Sequence, residues 1–181
     1  MQVGFNTSFL NFSNLTLAKN NMRVLKEDGY QKVGKINMLD QDGATVKGNV
    51  YLRDKNGHID VVSTNNECAR IGYLGASSSC YEPDNILVCS IENYMNLHTA
   101  KPWEQKGKIK GYKGVGSRLY VALEDYLREN RPDIDELRVY VTNSGSWDFH
   151  TKQGFVGYGD EYDTYAIHPK DNTMYKKLKN K

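Results

Sequence analysis

"IKGYKGVGSRLYVALEDYLREN", residues 109–130, is where the character of the chain changes. Three glycines, Gly111, Gly114 and Gly116, sit among lysines and lead into Leu119, Ala122, Leu123, Tyr126 and Leu127. Apolar residues at three- and four-residue spacing predict an amphipathic helix from Gly116 to Asn130, with Pro132 just past its end. A glycine turn feeding a helix exposes successive backbone N–H groups beside the positive end of the helix dipole. Without Cβ atoms, a pyrophosphate can come close. The candidate donors are Lys113, Gly114, Val115, Gly116 and Ser117, with added positive charge from Lys108, Lys110 and Lys113. A plain flexible turn reads the same way from this stretch alone. No GK[ST] follows, and the spacing does not give GxGxxG, so it is neither a P-loop nor a dinucleotide fingerprint.

Upstream, the pattern is strand-like. Lys32 to Leu39, Ala44 to Arg53, His58 to Ser63, Ala69 to Ala76 and Asn85 to Leu97 read as strands of an antiparallel meander. "DKNG" at 54–57 marks a hairpin, because Asn-Gly readily takes the positive φ values of a tight turn. Asn85 to Leu97 is the most apolar run and belongs at the centre of the sheet, while "SSSCYEPDN" at 77–85 reads as a loop. Ser8 to Glu27 is loosely helical, with Gly29 as its stop. His98 to Gly111 is polar, carries four lysines and reads as a long loop. It is either a lid or docking surface or a solvated insertion. Downstream, Glu136 to Thr142 reads as a strand and "NSGSWDFHTKQ" as a cap and short helix. "GFVGYG", "TYAIH" and "TMYKKL" read as closing strands. An α/β half (86–181) thus joins an N-terminal helix and antiparallel half (1–85) in a single domain over 1–181.

The totals bound the function classes. The 181 residues are 39% hydrophobic and 25% charged, which fits a globular chain and argues against disorder. A net charge of +2 is too mild to imply nucleic-acid binding by itself, so none is expected. No run approaches the apolar length of a membrane span, so no membrane partner is expected. No basic region precedes an apolar core at the N-terminus, so the expectation is no signal peptide and a cytoplasmic location. Three cysteines, Cys68, Cys80 and Cys89, without a CxxC suggest free thiols rather than disulfides or zinc.

The glycine loop gains meaning from "NSGSWDFHTKQGF" at 143–155, one strand later. Together the two segments resemble the GNAT superfamily of acyl-CoA-dependent N-acyltransferases. That family has a loop of the form Q/R-x-x-G-x-G/A before a long helix. Its later motif is N-x-x-A-x-x-F-Y-x-x-x-G-F. Gly114 and Gly116 match the two small positions of the loop. Asn143, Ser146, Phe149, Gly154 and Phe155 fall on the later motif, and the resemblance covers about 86–155. It implies a mixed, mostly antiparallel central sheet flanked by helices, an α+β fold, with the cofactor loop between the fourth strand and the following helix. It implies acetyl-CoA as acyl donor, no metal, and direct transfer of an acetyl or short acyl group to a primary amine. Cofactor contacts would come from Lys113, Gly114, Val115, Gly116, Ser117 and Asn143.

The resemblance also implies two splayed central strands, with the pantetheine arm pairing to backbone near Cys89 to Tyr94. Gly111 departs from the family's Arg or Gln, and His150 stands where a tyrosine commonly protonates the departing thiolate. Histidine can supply a proton near neutral pH, or His150 is a partly exposed residue that only lines the cleft. Glu92 matches the family's base, or it is an outward-facing strand residue; Glu67 and Glu82 are poorer candidates. Cys89 reads as a buried, inert thiol. The acceptor is a small molecule or a protein, and a homodimer is possible. The alternative is a non-catalytic CoA-binding or protein-interaction module on the same fold.

Overall fold

The computed structural model describes residues 22–40, 42–65, 70–81, 86–96, 112–159, 162–163 and 172–178. A helical segment, α1, covers 22–27. Five strands follow: β1 (Gln31–Leu39), β2 (Thr45–Lys55), β3 (His58–Thr64), β4 (Arg70–Tyr81) and β5 (Ile86–Asn96). Then come α2 (Val115–Asn130), β6 (Glu136–Tyr140), α3 (Ser144–Lys152), β7 (Val156–Gly157) and β8 (Thr173–Lys177). The strands form one mixed α+β sheet in the order β1-β2-β3-β4-β5-β6-β8-β7. Among the described residues every pairing of these strands is antiparallel except β5 with β6.

Local chemistry sets the corners. Asn56 and Gly57 have φ of 56° and 82°, the two left-handed residues that close the β2–β3 hairpin. Gly29, at φ 84°, stops α1. The helical pattern after Gly114 is α2, and it buries Val115, Leu119, Tyr120, Leu123 and Leu127. "SSSCYEPDN" is not a loop throughout. Ser78, Ser79 and Cys80 pair with Cys89, Val88 and Leu87, so β4 runs on to Tyr81. The apolar partner strand supplies ladder bonds there, and pairing overrides the weak strand preference of serine. "GFVGYG" shrinks to two strand residues, Val156 and Gly157. The expected elements at 8–21, "TYAIH" at 164–168 and the 98–111 loop lie outside the described residues. The strand expected as the family's fourth is the fifth in this chain, and it does lie inside the sheet.

Alternation along the strands gives the sheet two unlike faces. One carries Val50, Leu52, Ile59, Val61, Leu74, Ala76, Cys89, Ile91, Leu137 and Val139, buried with Leu119, Leu123 and Leu127 of α2. The other carries a smaller cluster, Tyr51, Val62 and Tyr73, closed by Leu25 and Tyr30. Beyond that cluster the second face turns polar, through Asp60, Gly75, Ser77, Ser90 and Arg138 at matching register positions. Among the described residues, no helix is long and apolar enough to cross a membrane.

Candidate functional site

The parallel ladder of β5 and β6 runs from Val88–Glu136 to Ile91–Val139 and stops. β5 continues to Asn96, paired on its other side with β4. At the stopping point, Ala76 pairs with Ile91 and Gly75 with Asn93, so Glu92 is the extra residue of a β-bulge. The parting of the two strands and the bulge therefore coincide. Beyond Ile91, β6 supplies no partner to β5. An arm carrying amide groups can pair with backbone there. The side chain of Glu92, expected as the base, lies outside the described residues.

The first turn of α2 stands over the same end of β5. Gly72 pairs with Asn96, and a Cβ built on Gly72 would lie 2.4 Å from Val115 Cγ1. Gly114 caps α2 in the left-handed region, at φ 86° and ψ −3°, and no side chain caps the helix. No acidic residue stands in the first turn, so the N–H groups of Val115, Gly116 and Ser117 face outward along the helix axis. Around Gly114 a Cβ would meet nothing within 4 Å, so backbone angle alone demands glycine there. Lys113 is tied down differently. Its N–H donates to the Leu39 carbonyl at 2.8 Å, leaving only its exposed side chain to offer. Ser117 Oγ accepts from Gln153 Nε2 at 3.0 Å, joining α2 to the end of α3. Gly111, Lys108 and Lys110 lie outside the described residues.

Two motif residues turn out to build the helix that follows. Asn143 caps α3, its Oδ1 accepting the Ser146 N–H at 2.8 Å. That is an N-cap bond, so this oxygen holds α3 in place. His150 is only 3% exposed, which corrects the expectation of a partly exposed helix residue. Its Nδ1 lies 2.7 Å from the Ser146 carbonyl, and its Nε2 lies 2.6 Å from the Tyr120 hydroxyl. A carbonyl only accepts, so Nδ1 carries the proton and Nε2 accepts from Tyr120. Burial pushes the His150 pKa below its ordinary value, and the Ser146 carbonyl opposes this in part. Phe149, Phe155 and Tyr120 surround the imidazole edge to face, at 5.2–5.5 Å from its centre. The neutral ring thus joins α2 to α3, with the Tyr120 hydroxyl donating to its Nε2.

Sequence reasoning passed over several polar groups. Glu124, almost fully buried on α2, takes Lys176 Nζ at 2.7 Å and Arg128 at 3.1 Å. Its position beside Leu123 in the buried stripe was the available signal. On the polar face, Asp60 Oδ2 accepts from Arg53 Nε at 3.0 Å, and Asp60 Oδ1 accepts the Tyr73 hydroxyl at 2.7 Å. Arg53 also stacks over the Tyr30 ring, 4.7 Å from its centre. Burial, then the bond to Asp60, pushes the Tyr73 phenol up to about 12. No sequence signal joins these residues, because they meet only across strands.

A groove of about 570 Å³ runs between β1–β2 and the flank of α2, from Arg118 to Asn130. It follows α2 away from Gly114 and is not where the loop and the parting strands meet. Among the described residues, no cluster of His, Cys, Asp and Glu could hold a metal ion. Cys89 is buried and Cys80 is exposed, and neither is in a disulfide among the described residues.

No protein-family model matches the sequence, and no curated protein matches it. Solved structures that match include an acetyltransferase of GNAT family from Staphylococcus aureus, 14% identical over 68% of this chain and 69% of that chain, at a TM-score of 0.44. AtaTR bound with AcCoA is 17% identical over 67% of this chain and 68% of that chain, at a TM-score of 0.48. GCN5 from Tetrahymena is 19% identical over 69% and 71%, at 0.41. The spermidine/spermine N-acetyltransferase SpeG from Vibrio cholerae is 16% identical over 68% and 67%, at 0.44.

Proposed function

We propose that the chain is an N-acyltransferase that moves an acetyl, or another short acyl, group from a CoA thioester to a primary amine. One observation carries this reading. The β5–β6 ladder ends at Ile91–Val139, beside the Glu92 bulge and beneath a helix start that no side chain caps. These residues fit acetyl-CoA, whose thioester would supply the acyl group. The N–H groups of Val115, Gly116 and Ser117 receive the pyrophosphate, helped by the Lys113 ammonium. The β5 backbone past Ile91 pairs with the pantetheine arm, and a β5 N–H there stabilises the oxyanion of the tetrahedral intermediate. Glu92 takes the proton of the attacking amine, and collapse of the tetrahedral intermediate breaks the C–S bond, so that CoA leaves as its thiolate. His150 serves as a positioning residue: it holds the Tyr120 hydroxyl and fixes α3 against α2.

Burial of His150 with both ring nitrogens engaged favours a second reading, a CoA-binding module without catalysis. Calorimetry with acetyl-CoA and a thiol-release assay with a panel of primary amines separate the two. Binding with amine-dependent thiol release is the expected result. Binding without release selects the module, and absence of binding overturns both.

A further inference from the structure

We propose that the acceptor amine is held on the polar face of the sheet by the Tyr73 hydroxyl, backed by Asp60, and that its carrier is anionic. This rests on the acyltransferase reading and adds the acceptor side to it.

Position comes first. Tyr73 lies on β4 with its side chain on the face opposite α2. Its ring leans along the strand, because a Cβ built on Gly75 would stand 2.6 Å from the Tyr73 hydroxyl. Gly75 is therefore the space in which that hydroxyl sits. Gly75 pairs with Asn93, next to the Glu92 bulge. Neighbouring strands lie about 4.8 Å apart, so the hydroxyl stands about one strand spacing from the backbone where the acyl group would be delivered. Tyr73 is half-buried rather than sealed.

Chemistry comes second. The phenol proton is already given to Asp60 Oδ1. What the oxygen has left is lone pairs, so it can only accept. With its pKa raised, the phenol keeps its proton through the working range of an amine transferase, and this polarity is constant. An acceptor-only oxygen beside an acyl site recognises an N–H donor, and a primary amine is one.

The charges around it select the carrier. Asp60 is spanned by Arg53, Glu136 by Arg138, and Asp28 by Arg70. Each carboxylate of this face among the described residues thus stands against a guanidinium. Lys55 shares the face of Arg53 on β2, and Lys177 pairs in register with Glu136. Among the described side chains of this face no carboxylate is left without a guanidinium to draw a polycation, and Lys55 and Lys177 stand at its two ends. An amine carried beside a carboxylate, as in an amino acid, fits this field; a polyamine does not.

The test uses the full chain, acetyl-CoA and primary amines of net charge from −1 to +3 at one ionic strength. The highest kcat/KM is expected for the anionic members, and a maximum at spermidine overturns the charge argument. Tyr73→Phe is expected to raise KM for the amine about tenfold, the worth of one lost hydrogen bond, while KM for acetyl-CoA stays the same. Gly75→Ala keeps every polar group but displaces the hydroxyl, and is expected to act in the same direction, with Tm recorded to exclude unfolding. Unchanged amine KM in both variants overturns the Tyr73 site while leaving the acyltransferase reading standing. No thiol release by the parent chain with any amine overturns that reading, and this one with it.

Discussion

On β2, Val50 and Leu52 point into the apolar core beneath α2, while Tyr51 and Arg53, one residue out of step, point to the other side. The same strands thus build two surfaces of different character. Burying a leucine-sized side chain is worth about 1.5–3 kcal/mol. A part-exposed pair such as Arg53–Asp60 contributes about 0–1 kcal/mol. Stability is therefore concentrated on the helix face. The ion pairs of the polar face contribute little to folding.

The strongest attempt to break that division is Leu123→Ala against Ser77→Ala. Leu123 is fully buried under α2, and its truncation should cost about 2–5 kcal/mol in urea unfolding. Ser77, on the polar face, should cost within about 0.5 kcal/mol. Similar losses would show that the two faces do not divide the work. Gly72→Ala comes next. Its Cβ would meet Val115 Cγ1 at 2.4 Å and Ser63 Oγ at 2.7 Å, so overpacking should cost about 1–3 kcal/mol. It should also weaken acetyl-CoA binding by lifting the first turn of α2. Gly34→Ala, with nothing within 4 Å, is the control and should change neither.

A smaller effect is expected at Gly114. An alanine there must hold φ near 86°, which costs about 1–2 kcal/mol without any clash. Loss of stability with full acetyl-CoA affinity would separate the turn from the ligand. The smallest effect is a pH slope on the helix face. The folded-state pKa of His150 lies below its ordinary 6.5, so the unfolded chain binds this proton more readily. Stability is fully present above 6.5 and falls as pH drops through that value towards the folded pKa. His150→Gln should flatten the slope of unfolding free energy against pH in mildly acidic buffer. An unchanged slope would mean that His150 is not held neutral.

Some of this was legible in the residues. "DKNG" announced the β2–β3 hairpin, because Asn-Gly tolerates positive φ whatever surrounds it. The 3.6 period announced α2 to within a residue. Asn143 announced the start of α3, whose N-cap bond it makes. Other features were not legible. Ser77 to Tyr81 looked like a loop because serine has weak strand preference, and only β5 alongside made it strand. For His150 the sequence left open an acid or a partly exposed residue lining the cleft, because its burial depends on Tyr120 and Phe155 from other segments. Its neighbours in space are Tyr120, Phe149 and Phe155.

By itself the sequence determined the local geometry: which turns close, where α2 begins and ends, and which strand alternates with which period. Those outcomes depend on φ preferences and apolar spacing within a few residues, so a short stretch carries them whole. Only the tertiary structure decided that the parallel ladder parts at the Glu92 bulge, that His150 is turned inward, and that Tyr73 meets Asp60 thirteen residues away. Register, burial and charge pairing depend on which strand lies alongside, and that depends on the whole sheet at once.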